Sequence, residues 1–136
     1  MQKQLTVAAA MDNLEKATAF LDEALEMLKA SPRVQLQLEL ALEEAFVNVV
    51  HYAYPEGTGE VMLLLQAEEE ERTLWLSLSD SGIPFNPLEE EAPDVSLPAK
   101  ERSIGGLGIF LVRKNTDEVS YEYRGGRNIL TMKKNY

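Results

Sequence analysis

Cysteine is absent from the 136 residues. That excludes a disulfide framework and any thiolate metal site. Long apolar runs are absent too. None approaches the roughly 20 residues that a membrane-spanning helix needs. The first ten residues carry only Lys3 and a short, mild apolar stretch before Asp12 and Glu15, which is not a secretory signal. The expectation is a cytoplasmic protein with no membrane partner. Basic residues are scarce, 13 Lys and Arg against 23 Asp and Glu, so the formal net charge is -10. A field of that sign repels nucleic-acid phosphates, and direct nucleic-acid binding is not expected. It leaves room for a basic protein partner or a cationic patch. Any phosphate site would need local neutralisation by a metal, backbone amides or a few basic residues.

Hydrophobic residues make up 45 % of the chain, enough for one packed core in a single domain over residues 1–136. Residues 3–9 read as a short strand, with Leu5 and Val7 alternating with polar neighbours. Residues 12–29 read as a helix: Asp12 and Glu15 match a capping box, and Met11, Leu14, Thr18, Leu21, Leu25 and Leu28 form a helical stripe. Ser31-Pro32 restarts the helix, and Tyr54-Pro55-Glu56-Gly57 stops it. Val61–Ala67 is a nearly continuous apolar run and reads as a buried strand. Glu68–Glu71 turns the chain into Thr73–Ser79, which alternates as a strand with one buried face. Asp80 to Ser103, with Gly82 and four prolines, reads as a long loop of the kind that forms lids. Gly106–Lys114 reads as a short helix. A final hairpin turns at Gly125-Gly126 between Val119–Tyr123 and Asn128–Lys133. The order β-α-α-β-β-loop-α-β-β predicts an α+β fold: a two-layer α/β sandwich with a mixed, mainly antiparallel sheet and helices on one face.

Three segments carry chemistry. In the second helix Glu44, Asn48 and His51 interrupt an apolar stretch at i, i+4 and i+7, so all three share one face. A buried polar group without a partner costs about 1–3 kcal/mol, so some interaction should offset these residues. A carboxylate and an amide oxygen aimed into a cleft could act as a general base and an Mg²⁺ ligand. The alternative is an exposed or capping stripe. His51, the lone histidine, reads as a packing residue. Asp80-Ser81-Gly82 ends a strand, where an aspartate can accept a hydrogen bond from an exocyclic amine and glycine permits close backbone approach. Asp-Ser-Gly is also an ordinary turn. Gly105-Gly106-Leu107-Gly108 opens a helix, where free N–H groups and the helix dipole can hold phosphate oxygens. It matches neither a P-loop nor a dinucleotide fingerprint. Lys100 and Arg102 are the nearest cations in sequence.

Taken together and in order, Glu44-Ala45-Phe46-Val47-Asn48, Asp80-Ser81-Gly82 and Gly105-Gly106-Leu107-Gly108 resemble the N box and the two glycine boxes of the histidine-kinase-like ATPase superfamily, whose Bergerat-type ATP-binding fold also occurs in gyrase. LEEAFVNVVHYAYP, DSGIPFNP and GGLGIFLVRKNTDEVSYEY look like its anti-sigma-factor serine/threonine kinase subgroup. The resemblance implies Glu44 as the catalytic carboxylate and Asn48 as the Mg²⁺ ligand. It implies Asp80 as the acceptor of the adenine amino group, with Gly82 beside the base. Gly105, Gly106, Leu107 and Gly108 would form the phosphate turn, and Arg102 would reach the γ-phosphate. Pro84 replaces the superfamily's second glycine, as in the subgroup's Pro-Phe version. The implied cofactors are ATP and Mg²⁺. The implied partners are an anti-anti-sigma protein of the STAS fold, as phosphoacceptor, and a sigma factor. A homodimer is also implied. No phosphoacceptor-histidine helix precedes these motifs, so a sensor histidine kinase is not expected. The alternatives are a regulator that binds ATP and sequesters a partner without phosphotransfer, and an interaction domain with a relic pocket.

Overall fold

The computed structural model describes residues 1–89 and 106–136. Five strands form one sheet: β1 (Gln2–Ala8), β2 (Glu60–Glu68), β3 (Thr73–Asp80), β4 (Glu118–Arg124) and β5 (Arg127–Asn135). Their spatial order is β1-β2-β3-β5-β4, and all four pairings are antiparallel. The sheet is therefore wholly antiparallel, not mixed. Two helices, α1 (Leu14–Met27) and α2 (Pro32–Tyr52), connect β1 to β2. An even number of helical passes returns the chain to the sheet in the opposite sense, so β2 pairs antiparallel with β1. α3 (Gly106–Asn115) precedes the last hairpin.

Local chemistry explains most boundaries. Ser31 caps α2 by accepting from the Val34 N–H at 3.2 Å, with Pro32 in the first turn. The β4–β5 turn needs positive φ at both central residues, and Gly125 (61°) and Gly126 (78°) supply it. The expected capping box at Asp12 and Glu15 is not formed. Met11–Asn13 makes a 3-10 turn instead, α1 starts from Asn13 with no side-chain cap, and Asn13 Nδ2 donates to Ala8 O at 2.9 Å. Asp12 thus lies inside the turn, one residue too early to cap.

One face of the sheet carries the core. Leu63, Leu65, Leu76, Leu78, Leu130 and Met132 are buried there against Leu21, Leu25, Leu38, Leu42 and Phe46 of α1 and α2. The helices lie on that one face, as expected. The β2 run is not buried on both sides. Val61, Leu63, Leu65 and Ala67 are buried, while Met62 and Leu64 are only half-buried, because no described helix covers the second face. No described helix is long and apolar enough to cross a membrane.

Candidate functional site

Core-facing positions at one end of the sheet are polar. Asp80 ends β3 and is paired in register with Asn128 of β5. Both are buried, at 4 % and 6 % exposure, where the same alternation elsewhere places Leu78, Leu130 and Met132. Asn128 uses its whole hydrogen-bonding capacity. Its Nδ2 donates to Asp80 Oδ1 at 2.9 Å and to Ile83 O at 2.8 Å. Its Oδ1 accepts from Phe85 N–H at 3.0 Å and from the Tyr121 hydroxyl at 2.5 Å. An asparagine amide offers two donors and two acceptor sites, so it is fully satisfied. Burial raises the Tyr121 hydroxyl above its usual pKa.

This network fixes Asp80. Its Oδ1 accepts from Asn128 Nδ2 and from Gly82 N–H, the latter at 2.9 Å. No hydrogen bond from the described residues reaches Oδ2. Asp80 lines an apolar slot of about 40 Å³ within a wider opening of about 430 Å³. Asn48, Val49, Tyr52, Ile83, Phe85 and Leu130 contribute to its walls. Tyr52 and Phe85 stack with ring centroids 5.0 Å apart. Seating a planar base there requires these side chains to part.

Gly82 belongs to the support of the slot and is not among its lining residues. A Cβ at Gly82 would lie 2.2 Å from Ala53 O, because the loop after β3 crosses the end of α2. The Ile83 N–H donates to that same oxygen at 2.9 Å. Tyr54 pins the other side, donating to Glu60 O at 2.6 Å and accepting from Ser81 N–H at 2.9 Å.

Asn48 lies in the slot, buried at 8 % exposure, and its side chain makes no hydrogen bond to the described residues. Glu44 lies one turn earlier on the same face, half-exposed and outside the slot's lining. Burial, and then the charge of Glu43, raise its carboxyl above the usual pKa range. His51 is exposed, its ring 6.3 Å from that of Tyr52, and is not among the slot's lining residues. It is not the packing residue its apolar neighbours implied.

Gly106, Leu107 and Gly108 form the first turn of α3. Gly105, Arg102 and Lys100 lie outside the described residues, as does most of the expected lid. Among the described residues no group of three His, Cys, Asp or Glu could hold a metal, and no Lys or Arg lines the slot. A cation bound near Asn48 would draw its other ligands from a ligand's oxygens and water, which suits Mg²⁺. Sequence reasoning missed Asn128, Tyr121, Tyr52 and Phe85. An asparagine at a core-facing position in the alternation of the last strand was the available signal.

The arrangement is a buried carboxylate and a buried amide on the wall of an apolar slot, with a carboxylate of raised pKa one turn along the helix. The histidine kinase-like ATPase domain family matches residues 7–134, and the chain belongs to that family. A serine-protein kinase RsbW of Bacillus cereus is 28 % identical over 100 residues, covering 71 % of this chain and 61 % of the relative. The serine/threonine-protein kinase BtrW of Bordetella bronchiseptica is 28 % identical over 102 residues, covering 75 % of this chain and 71 % of the relative. The match to the RsbW proteins thus spans about three-fifths of their length. The crystal structure of the RsbU and RsbW domains of Rv1364c from Mycobacterium tuberculosis superposes with a TM-score of 0.69 at 14 % identity. It covers 98 % of this chain and 32 % of that one. That likeness carries the fold.

Proposed function

We propose that this chain binds MgATP in the slot and transfers its γ-phosphoryl group to a serine or threonine of a STAS-domain anti-anti-sigma protein, so that a sigma factor is sequestered. The observation that carries the reading is Asp80. The residue lines the slot, one of its oxygens is anchored by Asn128 and Gly82, and the other accepts no hydrogen bond from the described residues. A fixed carboxylate in an apolar wall selects a planar ring bearing an amino group, as adenine does. MgATP, when bound, supplies the phosphoryl group. The Asn48 amide oxygen would hold the metal, and the α3 N-terminus, from Gly106, offers backbone N–H groups to the phosphates. Arg102 would contribute the charge that the described slot lacks. Glu44 would take the proton from the acceptor hydroxyl as its oxygen bonds to the γ-phosphorus, the bond from that phosphorus to the β,γ-bridging oxygen breaks and ADP leaves; its raised pKa suits that role. Phosphoryl transfer depends mainly on positioning and charge stabilisation, so this short residue set is sufficient.

One observation favours a second reading, an ATP-binding regulator that sequesters its partner without transfer. Glu44 stands outside the slot's lining. Incubation with γ-labelled MgATP and STAS-domain proteins, read as phosphoserine by mass spectrometry, separates the two. Transfer by the wild type that Glu44→Gln abolishes supports the kinase. Transfer at the wild-type rate by Glu44→Gln removes Glu44 as the base. Tight ATP binding with no transfer to any partner that the chain captures establishes the second reading.

A further inference from the structure

A second concavity lies on the solvent side of α1 and α2, about 930 Å³ in volume. Its apolar lining is unusually open. Met11 is 46 % exposed, Leu36 58 % and Leu40 38 %. Leu36 and Leu40 are one helical turn apart, so they present a continuous ridge. Adjacent exposed large aliphatic side chains in a groove mark an interaction surface more often than isolated ones do. Apart from Leu14, Thr18 and Ala19, the rest of the lining is acidic: Asp12, Glu15, Asp22, Glu39 and Glu43. No Lys, Arg or His lines the groove.

The acidic floor is under electrostatic pressure. Burial raises the Glu39 carboxyl above its usual pKa, and so do the hydrogen bond and charge of Asp22. Asp22 Oδ1 is buried without a hydrogen-bond partner. A cation from outside would relieve both groups. The walls are two helices whose backbone groups are already bonded, so the groove offers no strand edge for an extended peptide to extend. Paired helical ridges instead accept a third helix. From Met11 to Asp22 the α1 side runs roughly 16 Å, about three turns of a partner helix.

We infer that the α1–α2 groove docks a basic amphipathic helix of a protein partner, whose apolar stripe packs on Leu36, Leu40 and Met11 and whose Lys or Arg flanks face Glu15 and Glu43. The groove ends beside Glu43 of α2. The inference needs neither ATP nor phosphotransfer and stands apart from the kinase reading.

The test titrates the full chain, isotope-labelled and without nucleotide, with a synthetic peptide of about 16 residues that carries leucine at i, i+3, i+4 and i+7 and lysine elsewhere. Saturable NMR shifts confined to α1 and α2 amides around the groove are expected, weakening as salt rises. The double variant Leu36→Gln, Leu40→Gln should bind about tenfold more weakly. The double variant Glu15→Lys, Glu43→Lys should lose a similar factor. All four positions are exposed, so folding is retained. The inference is overturned if the peptide fails to bind or a glutamate-for-lysine peptide binds as well. It is also overturned if the shifts map to the slot or the open sheet face. Concentration-dependent shifts at the same amides without peptide would assign the groove to a second copy of this chain and overturn it as well.

Discussion

Asn128→Ala removes the one side chain that ties three segments to the end of the sheet. Four hydrogen bonds are lost: those to Asp80 and Ile83 and those from Phe85 and Tyr121. Each is worth about 1 kcal/mol net. Water entering through the slot can re-solvate part of what is exposed, so the expected loss of stability is about 2–4 kcal/mol. With an unfolding entropy of about 2.1 cal/mol/K per residue, that lowers Tm by about 7–14 °C. Circular dichroism melts at pH 7 read this directly. Asn128→Asp adds a pH dependence. It keeps the acceptor for Phe85 and Tyr121 but sets a carboxylate oxygen against Asp80 Oδ1, across a contact now 2.9 Å long. Two carboxyls in contact raise each other's pKa in the folded state. Stability is then retained at low pH and lost as pH rises through the raised folded value. Asn128→Asp should therefore melt lowest at pH 7 and recover toward the wild type in acid. A drop below about 2 °C for Asn128→Ala, or an Asn128→Asp melt independent of pH, would refute the idea that this network holds Asp80.

Gly82→Ala should cost about 1–3 kcal/mol, because its Cβ would sit 2.2 Å from the Ala53 carbonyl oxygen and the loop must shift; a thermal melt within about 2 °C of the wild type contradicts the close approach. Glu44→Gln should leave stability at pH 7 equal to or above that of the wild type. The folded-state pKa of Glu44 is raised, so the wild type loses stability as pH rises from the unfolded value through the folded one, and glutamine does not. Melts at pH 4 and pH 7 check the sign, and a variant less stable than the wild type only at pH 7 contradicts it.

Features set by neighbours in sequence were legible. Ser31-Pro32 starts α2 and Gly125-Gly126 turns the last hairpin because both rest on local φ/ψ and capping chemistry. The element order gave the two-layer α+β sandwich for the same reason. Features set by partners far away were not legible. Asp80 and Asn128 are 48 residues apart, and their contact depends on a register that periodicity alone does not specify. The β2 run read as a buried strand, but an apolar side chain does not declare whether a helix lies over it, and Met62 and Leu64 are only half-buried. Asp12 with Glu15 has the spacing of a capping box, yet a 3-10 turn at Met11–Asn13 moves the helix start. Helical spacing placed Glu44 and Asn48 on one face. It did not show that only Asn48 reaches the slot.

The central claim is that Asp80 anchors a nucleotide base. Calorimetric titration of MgATP into the wild type and into Asp80→Asn tests it most directly. Asparagine keeps the Oδ1 acceptor for Asn128 and Gly82 but exchanges the oxygen left free of hydrogen bonds from the described residues for an amide nitrogen, which cannot accept from an amine. The account predicts micromolar binding by the wild type, lost in a variant that melts as a folded protein. Equal binding by the two proteins, or none by the wild type, would contradict it.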